Sequence, residues 1–251
     1  MKKTHVSVTA ASSAIDRYRS VIVGNSSITY LIRYEGSMLL SAIPGAVGIF
    51  LRSKIWPGLF GSCGKGCLFG NHVVLRHPHR IHLGDRVVVS DGCILDARND
   101  DTDEAMALGN DVMLSNDVVI HCKGGTVRIG DGTGINVQTI IQSVDVNPVR
   151  IGRDVIIGPR CYIVGGGSYR TDRLDVPIRL QGIRKDGGLV IEDDVWLGAN
   201  VTVMGGVVVH TGSVVAAHAV VTHSVPQRGI CMGIPARVVR IRGQGDVAHN
   251  I

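Results

Sequence analysis

"IEDDVWLGANVTVMGGVVVHTGSVVAAHAVV", residues 191–221, decides the fold. An aliphatic residue returns at every sixth position: Ile191, Leu197, Val203, Val209, Val215 and Val221. Working upstream, hexads also begin at 83, 89 and 95, at 108, 114 and 120, at 129, 135 and 141, and at 151, 157 and 163. All eighteen starts are Leu, Ile or Val. The fifth residue of each hexad is mostly small or β-branched, as at Val87, Val112, Thr133, Thr139, Val155 and Val195. A period of six cannot keep one face of an α-helix apolar. A β-sandwich would alternate with a period of two between unevenly spaced turns. Six residues suit a short strand and a corner, and three such units make one coil of a prism. The aliphatic residues then point inward and the backbone pairs from coil to coil. The expected fold class is therefore mainly β: a parallel β-helix shaped as a triangular prism, with a short N-terminal helical segment and a long loop inserted at 164–190.

The rhythm breaks only between triplets. Beyond the regular six, the steps after 95, 120, 141 and 163 add seven, three, four and twenty-two residues. Every insertion thus leaves the same corner, and one-sided insertions often build the binding side of a solenoid. The longest opens with "IVGGGSYRTD" (163–172) and carries Tyr169, Asp172, Asp175, Pro177 and Gln181.

Composition agrees with a narrow aliphatic interior: aromatics are only 4% and glycines number 33. Residues 1–80 hold ten Lys/Arg against two Asp/Glu, a basic half suited to an anionic surface. No nucleic-acid partner is expected, because no binding motif or aromatic-basic interleaving occurs. The six cysteines are scattered and read as reduced packing residues of a cytosolic protein. No metal is expected either. Cys63 and Cys67 make at most half a site, and His72, His77, His79 and His82 fall in an irregular first coil. Met1-Lys2-Lys3 leads into polar Thr4 and His5 rather than an apolar signal segment. The stretch "SMLLSAIPGAVGIFL" (37–51) is too short and too interrupted to span a bilayer. It reads either as a helix pair capping the domain or as an interfacial pair on an anionic membrane, with Arg33, Arg52 and Lys54 at its edges. The expected organisation is a basic helical segment at 1–62, a β-helix at 63–242 and a tail at 243–251, in a cytoplasmic protein open to peripheral contact with the inner membrane.

The hexads, the run from Ile191 through "VVTHSVP", the segment "GIPARVVRIR" (233–242) and "LRHPHRIHLGDRVVVSDG" (75–92) together resemble the left-handed β-helix hexapeptide-repeat acyltransferases. That family includes galactoside and maltose acetyltransferases. The N-terminal motifs are most similar to the O-acetyltransferases of polysaccharide biosynthesis. The resemblance implies left-handed winding, a homotrimer, acetyl-CoA as acyl donor in a cleft between prisms, and a saccharide acceptor. It implies coenzyme contacts at Trp196, Ala199, Ala217, Thr222 and His223, and at Arg237 and Arg240 for the phosphates, since guanidinium makes forked bonds to phosphate oxygens. On the acceptor side it implies Asn136 and, one position displaced, Asp145. All of these also fit corner, turn or solvated-tail residues.

Acetyl transfer to a hydroxyl needs a proton acceptor, commonly histidine. The resemblance puts that histidine where this chain has Ser168, and no histidine lies between His121 and His210. The candidates left are His121, Asp172 and Asp145 from the insertion edge, a neighbouring protomer's His210, His218 or His223, or a shuttle positioned by Ser168 and Tyr169. The expected activity is acetyl-CoA-dependent O-acylation of a sugar or lipid-linked saccharide. The alternatives are a non-catalytic trimeric scaffold and an N-acyltransferase acting on an amino-sugar nucleotide.

Overall fold

A computed structural model describes residues 13–244. Three parallel sheets form the walls of a prism. Wall A runs from Ser62–Cys63 to Val208–Val209, wall B from Leu68–Phe69 to Val214–Val215, and wall C from Val74–Arg76 to Val220–Val221. The chain visits A, B and C in turn, so each circuit is one coil, and seven circuits stack. This is the parallel β-helix expected from the repeat, and it is consistent with the left-handed winding that the resemblance implies.

The hexad starts fill the prism. All eighteen are at most 4% exposed. Full burial of one such aliphatic side chain stabilises by about 1.5–3 kcal/mol. The polar fifth positions are satisfied internally: Thr133 and Thr139 donate to the carbonyls of Gly152 (2.9 Å) and Gly158 (3.1 Å). At the A–B edge, each coil's backbone meets a side chain of the next. The amides of Lys65, Asp85, Asn110 and Arg153 donate to Oδ1 of Asp85, Asn110, Asp131 and Asp193 at 2.7–2.8 Å. This ladder explains why Asp or Asn recurs two residues after so many hexad starts.

A helical cap closes the N-terminal end of the prism. It comprises α1 (Ala14–Tyr18), α2 (Ile28–Met38) and α3 (Gly45–Ile55), with Ser13 and Ser27 capping the first two. The first coil has no strand beneath it, so its outward carbonyls need donors. Arg52, fully buried, donates to Phe69 O (2.9 Å), Leu40 O (2.8 Å) and Ile43 O (2.7 Å). Tyr34 donates to Leu75 O and Ser41 to Val73 O. The helix pair expected around 37–51 is thus present, and its arginine faces inward rather than lying at the edge. At the other end, Gly229–Met232 extends wall B and Arg237–Ile241 folds back antiparallel on it. The inserted loop is slightly shorter than expected, because strand Tyr162–Gly165 continues past 164 and the next strand starts at Leu189. Residues 1–12, and 245–251 of the expected tail, lie outside the described residues.

Candidate functional site

Every insertion leaves the edge between walls C and A, as the spacing requires. The longest, 166–188, is a stapled loop. Buried Asn147 accepts from the amides of Asp186 (2.9 Å) and Gly187 (3.3 Å), and its Nδ2 donates to Val144 O (3.0 Å) and Arg184 O (3.4 Å). Asp186 in turn accepts from the amides of Gly166 and Gly188. The glycine triplet now has a cause. Gly166 has φ +75, and a Cβ there would sit 2.3 Å from Asn147 Nδ2; one on Gly165 would sit 2.9 Å from Asn147 O. Sequence reasoning missed Asn147 and Asp186. The only signal was an Asn before Pro148 in a short insertion, which reads as an ordinary turn.

Beyond the staple the limbs of the loop run antiparallel. Tyr169 bridges Ile183, and the Ser168 carbonyl accepts from the Arg184 amide (2.8 Å). A short helix α4 (Ile178–Gln181) follows. Ser168, Tyr169 and Asp172 are exposed. The Asp172 carboxylate is forked by Arg170 (3.0 and 2.7 Å), which holds its pKa below the usual carboxylate range and makes it a weak base. Asp145 stands in the preceding insertion with left-handed φ 57, a turn position.

His121 is not on a turn. It sits in the wall C strand Val119–Lys123, half-buried. Its cross-strand neighbours are Asp96 and Gln142, with Val164 one strand further. Two inter-strand spacings, about 10 Å, therefore separate it from the strand that feeds Ser168. Asp96 is fully buried and gripped by Arg98 (2.6–3.0 Å), with Arg76 at 3.4 Å. Burial lowers the His121 pKa, opposed by Asp96 and reinforced by Lys123, Arg98 and Arg76. The imidazole is thus neutral at pH 7, and its Nδ1 is buried with no hydrogen-bond partner among the described residues. The cluster offers a proton acceptor beside three cationic side chains.

The other expected residues lie elsewhere on the prism. Asn136, Ala199 and Ala217 share the B–C edge, where the amides of Asn136, Gly158, Gly198 and Ala216 pair with the next coil at 2.8–2.9 Å. In coils six and seven this edge opens on small residues, Gly198 and Ala199 and then Ala216 and Ala217: a Cβ on Gly198 would meet the Ala217 amide at 2.6 Å. Trp196, 54% exposed, faces outward on wall B in register with Val214, Ile230 and Arg240. Arg237 pairs with Met232 on the final strand. Thr222 and His223, 2.9 Å apart, stand at the far edge of wall C from Ala217. Of the alternative histidines, His210 Nδ1 lies 3.1 Å from Glu192 Oε1, and His218 lies 3.4 Å from Asn200 on the B–C edge.

One protomer therefore brings Trp196, Ala199, Ala217 and Arg240 into one region, but the width of wall C separates Asn136 from the loop, and His121 lies on that wall between them. Among the described residues, concavities of about 390 and 490 Å³ open beside Arg19 and His77 and beside Arg150 and Thr211, away from these residues. The outer faces of walls B and C meanwhile carry exposed apolar side chains: Leu68, Met113, Ile156 and Trp196 on one, Val74, Ile140 and Tyr162 on the other. The loop adds Leu174 (99% exposed), Ile178 and Leu180. Among the described residues no group of three or more His, Cys, Asp or Glu is placed to hold a metal. His77 contacts Ser20 O, His79 the Tyr30 ring, and His82 the Ser62 hydroxyl.

Comparison with known proteins agrees with this geometry. The family model described as bacterial transferase hexapeptide (six repeats) matches residues 188–223, which are coils six and seven. A probable acetyltransferase of Mycobacterium tuberculosis is 31% identical over 55% of this chain and 44% of its own length. The Escherichia coli K12 protein WbbJ, named for O-acetyl transfer in lipopolysaccharide biosynthesis, is 32% identical over 46% of this chain and 61% of its own length. The chain thus spans about half the length of these relatives. Among solved structures, the polysialic acid O-acetyltransferase OatWY superposes with a TM-score of 0.54 at 17% identity, covering 71% of this chain and 88% of that one.

Proposed function

We propose that the chain is a member of the bacterial hexapeptide-repeat transferases, whose family model matches residues 188–223, and that it is an acetyl-CoA-dependent acyltransferase. It O-acetylates a sugar or lipid-linked saccharide in surface-polysaccharide synthesis, as a homotrimer in the cytoplasm, peripheral to the inner membrane. One observation carries the reading. The family match falls on the two coils whose B–C edge is reduced to Gly198, Ala199, Ala216 and Ala217. Such an edge lets an extended pantetheine arm lie along the backbone, with Arg237 and Arg240 nearby for the phosphates. No metal is needed.

The trimer supplies what one protomer lacks. A second copy packed on the apolar faces of walls B and C would bring its insertion edge beside Asn136 of the first. The acceptor hydroxyl then attacks the thioester carbonyl, its proton passes to neutral His121, and the CoA thiolate leaves and takes up a proton. Arg76, Arg98 and Lys123 favour the negative charge that develops on the carbonyl oxygen. Asn136 orients the acceptor. Ser168 and Tyr169 form part of the lid, since a serine hydroxyl is no base at neutral pH.

Ser168 also favours a second reading, a catalytically silent trimeric scaffold that retains CoA binding. Thiol release from acetyl-CoA, with hydroxyl and amino sugars as acceptors, separates the readings. Turnover that His121→Asn removes supports the first. Turnover only with amino sugars transfers the assignment to N-acylation. No turnover in a CoA-binding wild type, with activity appearing in Ser168→His, establishes the scaffold.

A further inference from the structure

Helix α3 is inverted relative to an ordinary surface helix. Its buried face holds Gly48 and the guanidinium of Arg52, while Val47 (66% exposed), Ile49 and Phe50 (60%) face outward. Val47, Phe50 and Lys54 lie at i, i+3 and i+7 and form one stripe. The Lys54 ammonium rests 5.9 Å from the Phe50 ring centroid. Helix α2 repeats the arrangement. Leu31, Tyr34 and Ser37 are buried, whereas Ile28 (60%), Ile32 (67%) and, just past its end, Leu39 (79%) are exposed on another stripe. A soluble surface does not collect aliphatic residues at this spacing. Neither helix is long or apolar enough to span a membrane.

We propose that the exposed face of this helical cap docks on an anionic lipid bilayer, with Val47, Phe50, Ile28, Ile32 and Leu39 entering the acyl boundary. Three observations select lipid as the occupant. The cap closes the end of the prism rather than a wall, so it is separate from the apolar ladders of walls B and C where a second copy would pack. Its cationic side chains, exposed Arg17, Arg33 and Lys54 and half-buried Arg19, outnumber its acidic Asp16 and Glu35, which is the complement of an anionic headgroup layer. The pairing of Lys54 with Phe50 places an aromatic ring and a snorkelling ammonium together, as interfacial helices do. The docking rests on the proposed function only in giving that activity a place. In a trimer of parallel prisms all three caps would lie on the same end, so that weak contacts add.

The test is flotation of the full chain with vesicles of phosphatidylcholine alone and of phosphatidylcholine mixed with phosphatidylglycerol. The chain is expected to float with the mixed vesicles, less so as salt rises. Val47→Ser combined with Phe50→Ser should lower partitioning at least tenfold, and Lys54→Ala about fivefold. Both variants alter exposed positions, and unchanged circular dichroism confirms that they fold. Three results overturn the proposal: no flotation with either vesicle, flotation indifferent to Val47→Ser/Phe50→Ser, or a lipid-free oligomer that this double variant dissociates, which would make a second copy the occupant. Turnover of a soluble acceptor in bulk, measured on the same double variant, should equal wild type. Loss of turnover in a vesicle-bound wild type counts against the enzymatic reading alone, and loss of flotation in an active enzyme counts against docking alone.

Discussion

Replacing Asn147 by Ala should unfasten the loop without unfolding the prism. The side chain makes four hydrogen bonds, all to backbone at the base of the loop. The amides of Asp186 and Gly187 would lose their acceptor in a poorly hydrated crevice, since Asn147 is 1% exposed. An unsatisfied buried group costs about 1–3 kcal/mol. The two donors together, partly rehydrated, give about 2–4 kcal/mol. Because 1.4 kcal/mol is tenfold in a population, the base should open about 30 to 700 times more often. Limited trypsin digestion reads this directly, since nicking follows the open population when reclosing is fast. Cleavage after Arg184 and Lys185, at the base, should accelerate by that factor. Cleavage after Arg173 and Arg179, near the exposed tip, should change little and serves as the internal control. Asn147→Asp keeps the acceptor for both amides and should fall between. The global denaturation midpoint should barely move, because the lost bonds lie outside the aliphatic core. Equal nicking at Arg184 and Lys185 in wild type and Asn147→Ala would refute the staple and leave the glycine triplet without its explanation.

Other consequences follow from the cap, the histidines and the wall C cluster. Arg52→Met should cost about 3 kcal/mol in urea denaturation, because one buried and two half-buried carbonyls lose a charged donor; Arg52→Lys should not rescue it, lacking the planar fork. Burial lowers the pKa of His79 from its ordinary 6.5 to about 4, so the folded state resists protonation. The unfolded chain then binds more protons below pH 6.5, and stability should drop as pH falls from 6.5 towards about 4. His79→Gln should flatten that part of a pH–denaturation profile. His121→Asn should lower kcat by about a hundredfold or more with little change in KM for acetyl-CoA. Since the His121 pKa is lowered, the wild-type kcat profile should stay level through neutral pH and decline only below 6.5; a decline centred at or above 6.5 would point to another base.

Much of the fold was legible because the hexad period is an unusually direct record of burial. Ile141 and Val215 each announce an inward strand residue by position alone, and the edge that carries insertions follows from counting. Arg52 was not legible. An arginine in an apolar stretch suggests a solvated edge, and only the open end of the first coil, with carbonyls lacking donors, gives it reason to turn inward. Asn147 hid for a similar reason, since three of its four partners lie 37 to 40 residues away in sequence. His121 was legible only as an insertion-edge residue, because it follows the last aliphatic start before an insertion, yet wall C continues for two residues beyond it. The candidate site was legible as separate columns of residues. In the proposed function a second protomer joins them, and no spacing within one chain records how copies meet.

Isothermal titration of the folded wild-type protein with CoA tests the central claim most directly. The account predicts saturable binding with one CoA per protomer, preserved in His121→Asn and abolished in Ala217→Trp, whose ring would block the B–C edge of the seventh coil. No heat of binding from folded protein at millimolar CoA, or binding untouched by Ala217→Trp, would contradict it.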